Sequence, residues 1–195
     1  MWDERYSVDE YIFGTEPNSF LAEHAEILED PVLSLAEGEG RNAVFLASLG
    51  FRVHGVDLSE IGLAKAMALA RAEHVTIETE VADLNTFVPK HRSYGSVISI
   101  FVHVPASTRG RLYPLLEKCL KPGGILLLEA YTEEQLTRDT GGPRDPDVMM
   151  SESKILREFP HLEPIMLQER VREVIEGTYH TGIASVVQYI GRKSG

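Results

Sequence analysis

Cysteine is almost absent from this sequence, positive charge is in the minority and no apolar run is long, and each shortage closes off a class of protein. A single cysteine, Cys119, in 195 residues cannot form an internal disulfide, which suits a reducing cytoplasm. Lys and Arg number 19 against 30 Asp and Glu, a net charge of −11, so the basic face that neutralises nucleic-acid phosphates is missing. No stretch approaches the ~20 apolar residues of a membrane span. Met1-Trp2-Asp3-Glu4-Arg5 carries neither the basic patch nor the apolar stretch of a targeting segment. These absences predict one soluble, cytoplasmic domain whose partners are small molecules or a cationic protein, with neither nucleic acid nor membrane among them.

What is present is an alternation of apolar runs and helical spacing. Runs of strand length recur at 32–36, 52–56, 75–79, 96–101 and 125–130, and the segments between them predict a parallel sheet covered by helices. One helix is expected over 41–49, stopped by Gly50. A second starts after Ser59, a good N-cap, with Glu60 in its first turn. Residues 81–87 read as a loop with one helical turn at most. A further helix is expected over 107–119, with Leu112, Leu115, Leu116 and Cys119 on its core face and Pro114 kinking it or marking a late start. Lys121-Pro122-Gly123-Gly124 is read as the turn into strand five. The polar stretch 137–146 predicts a long surface loop, and 163–175 with 182–190 an antiparallel hairpin at the sheet edge.

The chemistry-bearing feature is the loop Ala36-Glu37-Gly38-Glu39-Gly40-Arg41-Asn42, which follows the run Val32–Leu35, together with Asp57 at the end of the next run. A strand, a glycine turn opening a helix, and a carboxylate at the tip of the second strand make a nucleoside-cofactor site, with the carboxylate on ribose hydroxyls. Bare glycines suit a pyrophosphate at a helix N-terminus. Glu37 and Glu39 oppose that charge and favour a cationic cofactor instead. The loop by itself leaves open adenosylmethionine binding, dinucleotide binding and a structural glycine turn.

With the pieces in order, the chain resembles the class I S-adenosylmethionine-dependent methyltransferases. The matching stations are Glu37-Gly38-Glu39-Gly40-Arg41-Asn42, Asp57, Asp83-Leu84, the strand end at Ser99-Ile100, and Leu120-Lys121-Pro122-Gly123-Gly124. Within the class, Gly38-Glu39-Gly40-Arg41-Asn42-Ala43, Asp83-Leu84-Asn85 and Trp2-Asp3-Glu4-Arg5-Tyr6 with Gly14-Thr15-Glu16-Pro17-Asn18 look like the branch of tellurite-resistance and thiopurine-type small-molecule methyltransferases. The resemblance implies a Rossmann-like, doubly wound α/β sheet of seven strands, mostly parallel with an antiparallel C-terminal strand, and helices on both faces. It divides a single domain into an N-terminal cap (1–31), a cofactor-binding core (32–132), a loop and helix over the active site (133–162) and a C-terminal hairpin (163–195).

The same resemblance implies methyl transfer from S-adenosyl-L-methionine to a small-molecule nucleophile, a thiol or a metalloid oxyanion, without a metal. Ala36, Gly38 and Gly40 would pack against the methionine part, Asp57 would take the ribose hydroxyls and Leu58 would cover an adenine face. Asp83 and Leu84 would read the adenine edge, and Ser99 and Ile100 would floor the site. Ser34 and Ala36 depart from the family pattern of an acid and a glycine. Glu37 would then supply the missing carboxylate for the cofactor's ammonium, or else face solvent in the first turn. Arg5 and Arg41 are candidates for the cofactor carboxylate. His103 would accept a proton from the nucleophile or shape the pocket. His180 lies on the hairpin with Glu176, Arg170 and Arg172, the two arginines sharing a face that either holds an oxyanion or is solvated. Trp2, Tyr6, Tyr11 and Phe13 form an aromatic cover or a plain clasp, and Tyr131 with Gly141-Gly142-Pro143 closes over the acceptor. The rival functions are a nicotinamide-dependent oxidoreductase and a non-catalytic adenosylmethionine-binding module.

Overall fold

The computed structural model describes residues 2–177 and 180–195. Its sheet runs in the order β3-β2-β1-β4-β5-β7-β6, where β1 is Val32–Leu35, β2 Val53–Asp57, β3 Glu78–Val81, β4 Tyr94–Ile100, β5 Leu120–Tyr131, β6 Leu162–Glu176 and β7 His180–Lys193. The first five strands pair in parallel, and β7 inserts antiparallel between β5 and β6. This is the Rossmann-like, seven-stranded layout that the resemblance implies.

The apolar runs are continuous because both faces of the central strands are covered. Alternate residues feed different cores: Leu33, Leu35, Val97, Leu126 and Leu128 face one, and Val32, Ile98, Ile100, Ile125 and Leu127 the other. The first core is roofed by α5 (Ala106–Cys119) through Leu112, Tyr113 and Leu116, and by α6 (Glu152–Glu158) through Ile155. The second is roofed by α3 (Arg41–Ser48), α4 (Glu60–Ala72) and the short N-terminal helix α2 (Ser19–Glu23). Each fully buried leucine contributes about 1.5–3 kcal/mol, so these two layers supply the main stabilisation. The strand order reverses between β1 and β4, which makes the C-terminal ends of these parallel strands the topological switch point. That is the ligand-binding position of open α/β sheets.

Three boundaries differ from the sequence expectation. Strand three begins at Glu78, not Val75, because α4 closes with His74 at φ 57 and the Val75 N–H bonds the Ala70 carbonyl at 2.9 Å. With the His74 N–H on the Arg71 carbonyl at 3.2 Å, this makes a Schellman cap, and it takes Val75 out of the sheet. Pro122-Gly123-Gly124 is a bulge inside β5, not a turn before it: Leu120 pairs with Tyr94 and Ile125 with Ser96, with Gly123 at φ 80. The loop 137–146 is flanked by 3₁₀ turns at Glu133–Thr137 and Pro146–Val148. Buried Arg109 on α5 pins it by donating to the Val104 and Asp147 carbonyls and to Glu158. Among the described residues no helix is long and apolar enough to cross a membrane.

Candidate active site

The glycine loop joins β1 to α3 at the switch point. Ala36 and Gly38 take positive φ, 48° and 60°, and Gly40 reaches 96° while packing so close to α4 that a Cβ there would lie 2.6 Å from Ala66. A side chain at Gly40 is therefore excluded twice, by conformation and by contact. Ala36 does adopt the left-handed turn that its departure from glycine disfavours.

The loop carboxylates do not face the cleft as a bare negative charge, which corrects the sequence reading of both acids. Glu37 is buried and turned back into the fold. It accepts from the Ser34 hydroxyl on β1 and from the Ala43 N–H of α3 at 2.9 Å. Gly55 on β2 leaves the room, since a Cβ there would come within 3.1 Å of the Glu37 side chain. Burial pushes the Glu37 carboxyl up to about 7, against the lowering effects of Ser34, Ala43 and Arg41. Glu37 is thus not the exposed first-turn residue of one sequence alternative. It occupies the space beside Ser34 and caps the helix that follows. Glu39 pairs with Lys65 and accepts from the Ile12 N–H at 2.8 Å. Lys65 in turn donates to the carbonyls of Val8 and Glu10, tying the N-terminal segment to α4.

Asp57 ends β2 beside the loop. One oxygen accepts from the Gly38 N–H and the other from the Ser59 N–H, each at 2.8 Å. Burial raises its pKa while those N–H groups lower it. The Leu58 N–H bonds Asp57 too, and the carboxylate still has room for a further donor. Leu58 next to it is 57% exposed, an apolar surface beside the carboxylate. Asp83 is exposed and accepts from the backbone and side-chain nitrogens of Asn85, both at 2.8 Å, which fixes the turn after β3. The Leu84 carbonyl accepts from Arg111. Ser99 and Ile100 lie buried at the end of β4, beside Leu35 on one side and Leu128 and Glu129 on the other. The fold therefore gathers all the residues expected at the cofactor end along one edge.

On the other side of the switch point an aromatic stack follows β4 and β5. Tyr131 is fully buried, 4.6 Å from Phe101 and 5.4 Å from His103 between ring centroids, and its ring is within 7° of parallel to His103. Phe101 holds φ 52, a sparsely populated conformation for a bulky residue and one often found at functional sites. Gly142 lies against the Tyr131 ring, where a Cβ would stand 2.9 Å away, so the loop packs on that residue. From the N-terminal cap, Trp2 stacks on Tyr6 and Tyr6 meets Phe13 edge-on, with the Tyr6 hydroxyl over Gly38. Tyr11 turns away to α4, where its ring faces Lys65. Arg5 lies over Trp2 at 5.0 Å and is exposed. His180 opens β7, and its side chain lies outside the described residues.

A buried ionic network that sequence reading did not assemble lies behind this stack. Glu129, fully buried in β5, accepts from Asn18 at 2.7 Å, from Gln188 at 2.7 Å and from Arg172 twice, at 2.9 and 2.6 Å. Glu176 accepts from Asn18 at 2.7 Å and from Arg41 Nη2 at 2.6 Å. Arg172 is thus committed to Glu129, while Arg170 is exposed, so the two arginines do not form one anion-holding pair. The Glu129 in an otherwise apolar strand was the signal available in the sequence, because a carboxylate there requires buried donors.

Residues 32–124 match the family model of a methyltransferase domain. A curated Geobacillus sp. (strain WCH70) protein that bears a methyltransferase name is 33% identical over 112 residues, 52% of this chain and 42% of that protein. The matched segment thus spans less than half of that relative's length. Among solved structures, TehB from Haemophilus influenzae superposes with a TM-score of 0.75 at 19% identity, over 99% of this chain and 66% of that one. The N-methyltransferase NodS from Bradyrhizobium japonicum, in complex with S-adenosyl-L-homocysteine, gives 0.73 at 14% identity over 100% and 97%. A protein from work on the conversion of a disulfide bond into a thioacetal group during echinomycin biosynthesis gives 0.79 at 19% identity over 99% and 90%. At these identities the structures establish a shared fold.

Proposed function

We propose that this chain, a class I S-adenosylmethionine-dependent methyltransferase by its matched domain and its fold, methylates a small-molecule nucleophile such as a thiol or a metalloid oxyanion. The observation that carries this reading is how the N-terminus of α3 is satisfied. In the loop the Gly38 N–H is taken by Asp57, and in the first turn of α3 the Ala43 N–H is taken by Glu37, so two of the N–H groups near a dinucleotide's pyrophosphate position are already bonded to carboxylates. A nucleoside cofactor without a diphosphate fits this loop, and a nicotinamide dinucleotide does not.

The residues present suit that cofactor. Asp57 would hold the ribose hydroxyls, Leu58 an adenine face and Asp83 the adenine edge. Arg41 offers a buried Nη1 that has no hydrogen-bond partner among the described residues. Bound S-adenosylmethionine supplies an electrophilic methyl group on a sulfonium, a good leaving group. The protein's task is then alignment and exclusion of water, which can contribute about 7–11 kcal/mol without an acid–base pair. Phe101, His103 and Tyr131 form the wall where the acceptor would sit. Flat, polarisable rings suit a soft nucleophile there, and the His103 ring can take the proton of a thiol. The net charge of −11 favours a small acceptor over nucleic acid.

Incubation with methyl-labelled S-adenosylmethionine and a panel of thiols, halides and metalloid oxyanions tests the reading. Label transferred to a member of the panel is the expected result. Tight binding of S-adenosylhomocysteine with no acceptor consumed would instead favour a non-catalytic binding module.

A further inference from the structure

The buried network around Glu129 and Glu176 contains two acids and two arginines, and among the described residues one buried nitrogen of these four side chains has no hydrogen-bond partner. Both oxygens of Glu129 and both oxygens of Glu176 are engaged, and Arg172 Nη1 donates to the Glu173 carbonyl at 3.0 Å. Arg41 is 9% exposed, with Nη2 committed to Glu176 at 2.6 Å, and its Nη1 is buried without a hydrogen-bond partner among the described residues. A buried guanidinium donor left unmade is unfavourable, and an anionic acceptor brought by a ligand would remove the defect.

The position of Arg41 says which part of a ligand that would be. Arg41 is the first residue of α3, directly after Gly40, and its charge acts on Tyr6 and Glu37 at the loop as well as on Tyr131. The Tyr6 hydroxyl sits over Gly38, so these neighbours put the guanidinium at the glycine-loop end of the site. What fixes it there is Glu176, the last residue of β6, at the tip of the hairpin. Gly177, the next residue, packs on the N-terminal segment so closely that a Cβ would lie 2.6 Å from Phe13 Cα. Glu176 therefore joins three elements distant in sequence: the N-terminal cap through Asn18, the helix after the glycine loop through Arg41, and the hairpin that carries it.

Building on the cofactor assignment above, we infer that Glu176 is a positioning residue. It holds Arg41 through Nη2 so that Nη1 receives the carboxylate of the cofactor's methionine part. Glu176 itself touches no cofactor atom. The hairpin thereby contributes to cofactor affinity through a residue outside the glycine loop.

Calorimetry with two ligands isolates this role. S-adenosylhomocysteine carries the amino-acid carboxylate, and 5′-methylthioadenosine keeps the nucleoside and sulfur without it. Arg41→Lys retains the positive charge beside Glu176, so the ion pair survives, but loses the forked donor. It should weaken S-adenosylhomocysteine binding by about tenfold or more and methylthioadenosine binding by less than about twofold. Glu176→Gln should give a smaller loss, about threefold to tenfold, again confined to S-adenosylhomocysteine. The double variant should bind no more weakly than Arg41→Lys alone, because the two residues act in series. Retained methylthioadenosine affinity serves as the check that each variant is folded. Equal losses for both ligands would mean that the pair is only structural, and unchanged affinity for both would remove Arg41 from the site. Either result overturns the inference while leaving the cofactor assignment standing. If the unmodified protein bound neither ligand, the cofactor assignment would fail and the inference with it.

Discussion

Glu37 and Asp57, in the cofactor half of the sheet, are satisfied by partners between two and nineteen residues away, whereas Glu129 and Glu176, in the hairpin half, depend on partners as far as 111, 135 and 158 residues away. Both halves bury carboxylates, but they solve the resulting desolvation differently. The cofactor half closes locally, within the unit β1-α3-β2, and the matched family model covers that unit. The hairpin half forms only when the N-terminal cap, β5 and the C-terminal hairpin are all in place. Under the proposed function, the cofactor edge is preorganised locally and the acceptor edge depends on the whole fold.

Removing the centre of the long-range network should have the largest effect. Glu129→Ala leaves Arg172 buried without its carboxylate and should destabilise the fold by about 3–5 kcal/mol. Urea denaturation would show this as a lower midpoint with unchanged slope. A loss below about 1 kcal/mol would mean that the network is not the structural centre of the hairpin half.

An intermediate effect, visible only as a function of pH, should mark the local side. Burial raises Glu37 from its ordinary 4.5 to about 7, so the folded protein keeps a proton that the unfolded chain releases earlier. Its contribution is complete below pH 4.5, falls as pH rises through 7 and is absent above. Over that window the unmodified protein should lose up to about 3 kcal/mol relative to Glu37→Gln, whose amide does not titrate. Parallel stability curves for the two proteins would contradict the buried, inward-facing placement of Glu37. The smallest effect is conformational: Ala36→Gly relieves an alanine at φ 48 and should stabilise by at most about 1 kcal/mol, read as a small rise in melting temperature.

The same contrast decides how much was legible in the sequence. Ser59 as an N-cap, Gly40 at the helix start, Asp57 at a strand tip and the order of strands and helices follow from neighbours in the chain, and the fold contains all of them. Glu37 was placed in the right loop, and of the two orientations left open its burial excludes the solvent-facing one. Its direction depends on Ser34 in an otherwise apolar strand and on the missing side chain of Gly55, a combination that becomes visible only when β1 and β2 lie side by side. The charge argument against a diphosphate changes accordingly. The acids act by occupying N–H groups, and Glu39 is offset by Lys65. Arg172 and Arg170 were grouped by strand alternation, yet only Arg172 lies within reach of Glu129, a contact 43 residues away that no local pattern encodes.

Titration of the purified protein with S-adenosylhomocysteine and, separately, with NADH tests most directly the claim that a helix capped by its own carboxylates selects a cofactor without a diphosphate. Affinity in the micromolar range for the first and no measurable heat from the second is the expected result. Micromolar binding of NADH with indifference to S-adenosylhomocysteine would contradict it.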